Sequence, residues 1–92
     1  MVTVVENRAV VDLQPLAPPA SGPNPEWLVC QVVVKSASDV EGYRNLLAAG
    51  LPREMTALFR ASAYADLKSV DVWHVEASVV GPNQLRIERL VR

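Results

Sequence analysis

His74 is the one imidazole in this 92-residue chain, and Glu76 and Ser78 follow it at two-residue spacing. In a strand that spacing places all three side chains on one face, in steps of about 7 Å. An imidazole titrates near neutral pH and can act as a general base. A carboxylate can orient it, and a hydroxyl can serve as its nucleophile. A hydrolytic triad, however, needs the imidazole between the hydroxyl and the acid. Here Glu76 stands between the other two, so no catalytic residue is assigned. The row reads as strand polar groups that hydrogen-bond one another. A second use of the same segment is a pocket for a small aromatic ligand, with Trp73 as the stacking surface and His74 and Glu76 at its rim.

Cys30 is the only cysteine. Its neighbours Leu28, Val29, Val32 and Val33 offer neither the positive charge nor the exposure that a reactive thiolate needs. It reads as a small buried apolar residue. One cysteine and one histidine cannot close a zinc site within one chain. The four glycines are scattered, so no phosphate loop is present. The sequence therefore implies no metal and no cofactor. Trp27, which follows the prolines, reads as packed against them or in the core.

Nine Lys/Arg residues are interspersed with ten Asp/Glu. Nucleic-acid binders carry a basic stripe that displaces counterions from phosphates. The nearest approach to one is Arg86, Arg89 and Arg92, with Glu88 among them. No nucleic-acid partner is expected. A lone cysteine excludes an internal disulfide and points to a reducing compartment. No uncharged apolar run has the length of a membrane helix, and residues 1–8 lack the apolar stretch of a signal peptide. The expected location is cytoplasmic, with no membrane partner.

The elements that position these residues follow from periodicity. The composition is rich in valine, with sixteen against one isoleucine and one phenylalanine, and valine favours strands. Residues 1–13 read as an N-terminal strand or a short hairpin. Residues 14–25 hold five prolines and read as an ordered or semi-rigid linker. Trp27 to Lys35 is the clearest strand. Leu28, Cys30, Val32 and Val34 form a wholly apolar face, and the opposite face is mostly apolar too. Ser38-Asp39-Val40-Glu41 has the form of a capping box, which predicts a helix to Ala49 with Gly50 as its left-handed end. Pro52 to Leu67 predicts a second helix, or a kinked continuation of the first, with Met55, Phe59, Ala63 and Leu67 in an i, i+4 row. Residues 70–80 and 85–91 predict a hairpin around Gly81-Pro82-Asn83-Gln84. A simple turn pairs Glu76 with Arg89, whereas a bulged one brings the apolar sets of the two strands together. Both registers remain open.

The expected fold is a single α+β domain over residues 1–92, with its main unit at 26–92. A small antiparallel or mixed sheet of three to four strands is covered on one face by a kinked helix or helix pair. The order is β, proline linker, β, α, α, β, β. The strand–helix–strand–strand order over Trp27 to Val91, with Trp73 near the start of its strand, resembles the flavin-binding dodecins. That resemblance is one of topology, with no diagnostic motif matched residue by residue. It implies small subunits assembled into a shell and a strand tryptophan stacked on flavin.

A single helical layer leaves the second sheet face uncovered. The expected function is thus a non-catalytic assembly or interaction module, self-associating or bound to a protein partner. Trp73, Val75, Val79, Leu85 and Ile87 are its expected interface. The alternatives are the small-molecule site at Trp73, His74 and Glu76, and an accessory subunit of a larger complex.

Overall fold

The computed structural model describes residues 6–22 and 24–91. The valine-rich segments among the described residues form strands, and so does much of the region predicted to be helical. The strands are β1 (Ala9–Pro15), β2 (Ala20–Ser21), β3 (Trp27–Asp39), β4 (Arg53–Arg60), β5 (Trp73–Gly81) and β6 (Gln84–Leu90). A 3-10 turn at Ala61–Ala63 and a single helical turn, α1 (Tyr64–Leu67), are the helical elements. The sheet runs β1-β5-β6-β4-β3-β2, and β1 also pairs with β3. That extra pairing closes β1, β3, β4, β6 and β5 into a five-stranded barrel. All its pairings are antiparallel except β4 with β6.

The expected α+β sheet under a helix pair is therefore incorrect, and the physical reasons are specific. At Ser38 a capping box competes with a strand ladder. The box stabilises by about 1 kcal/mol. The ladder pairs residues 36–39 with Asp12, Val11, Val10 and Ala9 of β1, and it closes the barrel over a buried Val11 and Ala9. A fully buried valine alone contributes about 1.5–3 kcal/mol, so the strand prevails. At Met55 the same apolar residues satisfy two periods. Met55 and Phe59 are four apart, as in a helix, but Met55, Ala57 and Phe59 also alternate as in a strand. All three are buried, while Glu54 and Arg60 are exposed. Antiparallel pairing of β4 with β3, from Trp27↔Arg60 to Val34↔Arg53, decides for the strand. Of the predicted row, Ala63 sits on the 3-10 turn and Leu67 on α1, while Met55 and Phe59 are strand residues. Pro52 neither kinks nor separates helices; it ends the loop before β4.

With the helical layer goes the dodecin-like order. The second sheet face is not left bare, because curvature turns it into the inside of a barrel. Val11 and Leu13, Val32 and Val34, Met55 and Phe59, Trp73 and Val75, and Leu85 all point inward and are at most 2% exposed. Leu47, from the loop between β3 and β4, and Leu67, from α1, join the same core. Phe59 meets Trp73 edge to face at 5.4 Å, a geometry that favours aromatic pairs. Trp73 Nε1 donates to the Leu67 carbonyl at 3.0 Å, so its one polar atom is satisfied.

The proline segment is ordered on the barrel. Leu16 N donates to Gln31 O, and β2 pairs with Val29 and Leu28. The N-terminal strand starts at Ala9; Val2, Val4 and Val5 lie outside the described residues. The β5–β6 hairpin uses both registers left open by the sequence. An extra residue at Val80 sets Val79 against Leu85 and Ala77 against Ile87, and a second at Glu88 restores Glu76 opposite Arg89. Asn83 takes the positive φ of 54° that the turn requires.

Candidate interaction surfaces

A barrel packed with its own side chains leaves only its outside for chemistry. Three regions of that outside carry the polar, aromatic and exposed apolar groups.

The first is the outer wall of β1, β5 and β6. His74, Glu76 and Ser78 do point outward together, but they do not serve one another. Glu76 binds Arg89 Nε at 2.7 Å and Arg8 Nη1 at 3.0 Å. Ser78 Oγ donates to Glu88 at 2.8 Å, and Arg86 grips the same carboxylate. His74 Nδ1 meets Asp12 of β1 at 2.5 Å, and Ser36 of β3 donates to the other oxygen of Asp12 at 2.8 Å. The carboxylate thus stands between hydroxyl and imidazole, which is again the wrong order for a nucleophile. His74 holds the Asp12 carboxyl below the ordinary range, with help from Ser36. Burial pushes the Glu76 carboxyl up, but Arg89 and Arg8 outweigh it and hold it below its ordinary value.

Glu76 faces outward yet is only 4% exposed. The residues before β1 cover it. Arg8 lies against its carboxylate, with the Tyr43 ring 5.0 Å from the guanidinium. Asn7 accepts from Val79 N at 2.7 Å and donates to Val79 O at 3.1 Å, so one side chain completes a strand edge.

The second region is one end of the barrel, where β1 finishes and β5 starts. Leu16, Val70 and Val72 are 50%, 46% and 45% exposed there. Two shallow clefts of about 300 and 320 Å³ share Leu67, Val70 and Trp73 as lining, and His74 borders the second. Trp73 itself is 2% exposed, so it offers an edge and cannot stack on a flat ligand.

The third region is the outer wall of β3 and β4. Trp27, Val29, Gln31 and Val33 sit opposite Arg60, Leu58, Thr56 and Glu54. Arg60 lies over the Trp27 ring at 4.8 Å. Gln31 Nε2 donates to Thr56 Oγ1 at 3.0 Å. Val29, Leu58 and Val80, with Thr56 and Gln84, line a further shallow cleft of about 210 Å³. Val29, Val33, Leu58 and Val80 are all half-buried, and they are apolar side chains turned away from the core.

Of the five interface residues expected from sequence, Trp73, Val75, Leu85 and Ile87 line the barrel interior and Val79 is half-buried beside them. Cys30 is buried, with its thiol against Ala17 O at 3.2 Å, and burial pushes it up. Among the described residues no three His, Cys, Asp or Glu side chains converge as a metal site requires. No helix among them is long and apolar enough to cross a membrane. Sequence reasoning missed Asp12 as the partner of this histidine, and Ser36 as the donor to Asp12, because no local signal links strands so far apart in the chain. The apolar wall had a signal, since Val29 and Val33 already made the first strand apolar on both faces.

Compared with protein-family models, curated proteins and solved structures, the chain matches none. Its connectivity, with five strands closed and β4 parallel to β6, is that of a small Greek-key barrel of the OB type, whose outer wall commonly receives ligands. A fold of this kind hosts many unrelated functions, so the residues on the wall decide.

Proposed function

We propose that this chain is a non-catalytic interaction module that works as a homo-oligomer, joined through the outer wall of β3 and β4. One observation carries this reading: Val29, Val33, Leu58 and Val80 project outward from a barrel whose interior is already filled. Around them stand Trp27, Arg60, Gln31 and Thr56. An apolar centre with aromatic and arginine neighbours and a polar rim is the anatomy of a protein interface. Arg60 pairs with Glu26 at 3.9 Å, and the charge of Lys35 is balanced by the exposed Glu54 on the same wall, so the wall lacks the basic stripe that nucleic acid demands. A free, buried Cys30 is compatible with a cytoplasmic setting. Sedimentation velocity of the whole chain across concentration tests the reading. A concentration-dependent dimer that Leu58→Glu dissociates supports it, and a wild-type monomer at every concentration up to about 1 mM overturns it.

The clefts at the barrel end favour a second reading, a binding site for a small apolar ligand beside His74. Exposed Val70 and Val72 above the Trp73 edge are the observation behind it. In a Trp27→Phe variant, Trp73 is the sole indole. Its fluorescence should respond to an amphiphilic aromatic probe, and Val72→Glu should remove the response. An unresponsive Trp73 excludes the site.

A further inference from the structure

We propose that the split between β4 and β6 binds a small phosphate monoester whose organic part is apolar or aromatic. This goes beyond the self-association reading and does not depend on it. The barrel closes through its shortest ladder: β4 and β6 pair at Thr56↔Gln84, Ala57↔Leu85 and Leu58↔Arg86. Past that level both strands run on. β4 stays paired with β3 as far as Arg60, and β6 stays paired with β5 as far as Leu90. Each is held from its far side while the two part from each other, and the wall opens into a cleft of about 340 Å³. Small-molecule sites are clefts of about 300–1,000 Å³. Phe59 and Ile87, both buried, lie at its barrel side, and Trp27, Arg60, Arg86 and Arg89 stand around it.

Donors outnumber acceptors there. Three guanidiniums line the cleft against one carboxylate, that of Glu88. Arg86 directs Nε and Nη2 at Glu88. Arg89 directs Nε at Glu76, and Arg60 comes within 3.9 Å of Glu26 while it lies over the Trp27 ring. A guanidinium carries five N–H donors in a planar fork. The outer ends of Arg60 and Arg89, whose side chains are 61% and 68% exposed, are therefore open to a ligand. The backbone adds one donor more. Thr56 N donates to Asn83 O, so every second residue of β4, next Leu58 and then Arg60, turns its amide toward β6. The ladder ends at Leu58↔Arg86, which leaves Arg60 N facing the split. Guanidinium forks and a main-chain N–H suit a phosphate, which offers three acceptor oxygens and up to two charges. A carboxylate brings one charge and two oxygens, and Glu88 already supplies that much from within the chain. A bare phosphate fills only part of the cleft, so the fitting ligand carries an apolar body beside Phe59 and Ile87.

Two-dimensional amide NMR of the full chain, titrated with phenyl phosphate, tests the site. Binding with a Kd of about 1 mM or tighter, with the largest shifts at the Arg60, Ile87 and Arg89 amides and the Trp27 indole, supports it. No shift up to about 10 mM, or shifts centred elsewhere, overturns it. Arg60→Gln, at an exposed position, should weaken binding about tenfold. Lys35→Gln removes the same charge from the β3–β4 wall outside the cleft and should change binding by less than about twofold. Equal losses in the two variants mean diffuse attraction to the protein's charge and overturn the site. Circular dichroism checks that both variants fold, and the wild-type shift map decides the question if Arg60→Gln does not. Benzoate bound as tightly as phenyl phosphate overturns the phosphate assignment, and inorganic phosphate bound as tightly overturns the apolar part. A short single-stranded oligonucleotide that binds more tightly at the same amides makes the cleft part of a nucleic-acid groove and overturns the small-molecule assignment.

Discussion

Two outer walls of the same barrel treat polar residues in opposite ways. On the β1–β5–β6 wall each charge is engaged inside the chain. Glu76 lies between two arginines, Glu88 joins Ser78 and Arg86, and Asp12 joins His74 and Ser36. Arg8 and Asn7, just before β1, lie against this wall, and Glu76 and Ser78 are buried there. On the β3–β4 wall the side chains are apolar or neutral at the centre, Lys35 and Glu54 have no ion-pair partner among the described residues, and no segment of the described chain lies across. Closure leaves little sheet edge with which to recruit a partner: the two-residue β2, and the strand ends beside the three-residue β4–β6 contact. The difference therefore separates a wall completed by its own chain from a wall that another molecule can complete.

Substitutions that exchange the character of the two walls test this contrast. Glu76→Ala should have the largest effect, because it leaves two guanidiniums facing each other without their buried carboxylate. A loss of about 2–3 kcal/mol in urea unfolding at neutral pH is expected, with dimerisation intact in the folded fraction. A wild-type midpoint would show that the network is ornamental. The same carboxylate sets a pH dependence. Its folded-state pKa lies below the unfolded value of about 4.3. Its contribution is therefore fully present above that value and is lost as pH falls through the folded one. Acid unfolding followed by circular dichroism should show wild type losing stability in that window. A Glu76→Gln variant should show a shallower slope there, and an identical slope would remove Glu76 from the account.

Asn7→Ala comes next. It removes both bonds to the Val79 backbone, for a loss of about 1–2 kcal/mol, and should expose Val79 N to hydrogen exchange. Protection unchanged at Val79 would contradict that role. The smallest effect belongs to the other wall. Gln31→Ala should shift the stability of the isolated subunit by no more than about 0.5 kcal/mol, since the side chain is exposed and, among the described residues, bonded to Thr56 alone. A larger loss would mean that this wall, too, is completed from within.

The parts of this fold that local pattern controls were legible in the sequence. Leu28, Cys30, Val32 and Val34 do share one face of β3, Asn83 does take the left-handed turn position, and Glu76 does meet Arg89. The errors arose where one set of residues fits two periods or where the deciding partner is remote. Met55 and Phe59 fit a helix as well as a strand, and only pairing with β3 breaks the tie. Ser38 has a helix cap's neighbours, but β1 takes that stretch as a strand. The candidate sites followed the same division. His74 and Glu76 were visible as polar strand residues, yet their partners Asp12 and Arg8 sit more than 60 residues away along the chain. Trp73, Val75, Leu85 and Ile87 looked like an interface because an apolar strand face reads the same whether it lines a barrel or meets a partner.

Asn7 and Val79 are 72 residues apart, and β1 pairs with β5 from Ala9↔Ala77 to Leu13↔Trp73. β1 thus waits for its second neighbour until β5 is made, and the ring closes only when β6 reaches β4. Translation at about 5–20 residues per second leaves several seconds in which Val11 and Leu13 have only β3 for company. Until β6 emerges, the nascent chain is an open sheet with a sticky rim, and that interval is when this small barrel is most exposed to aggregation or to help from a chaperone.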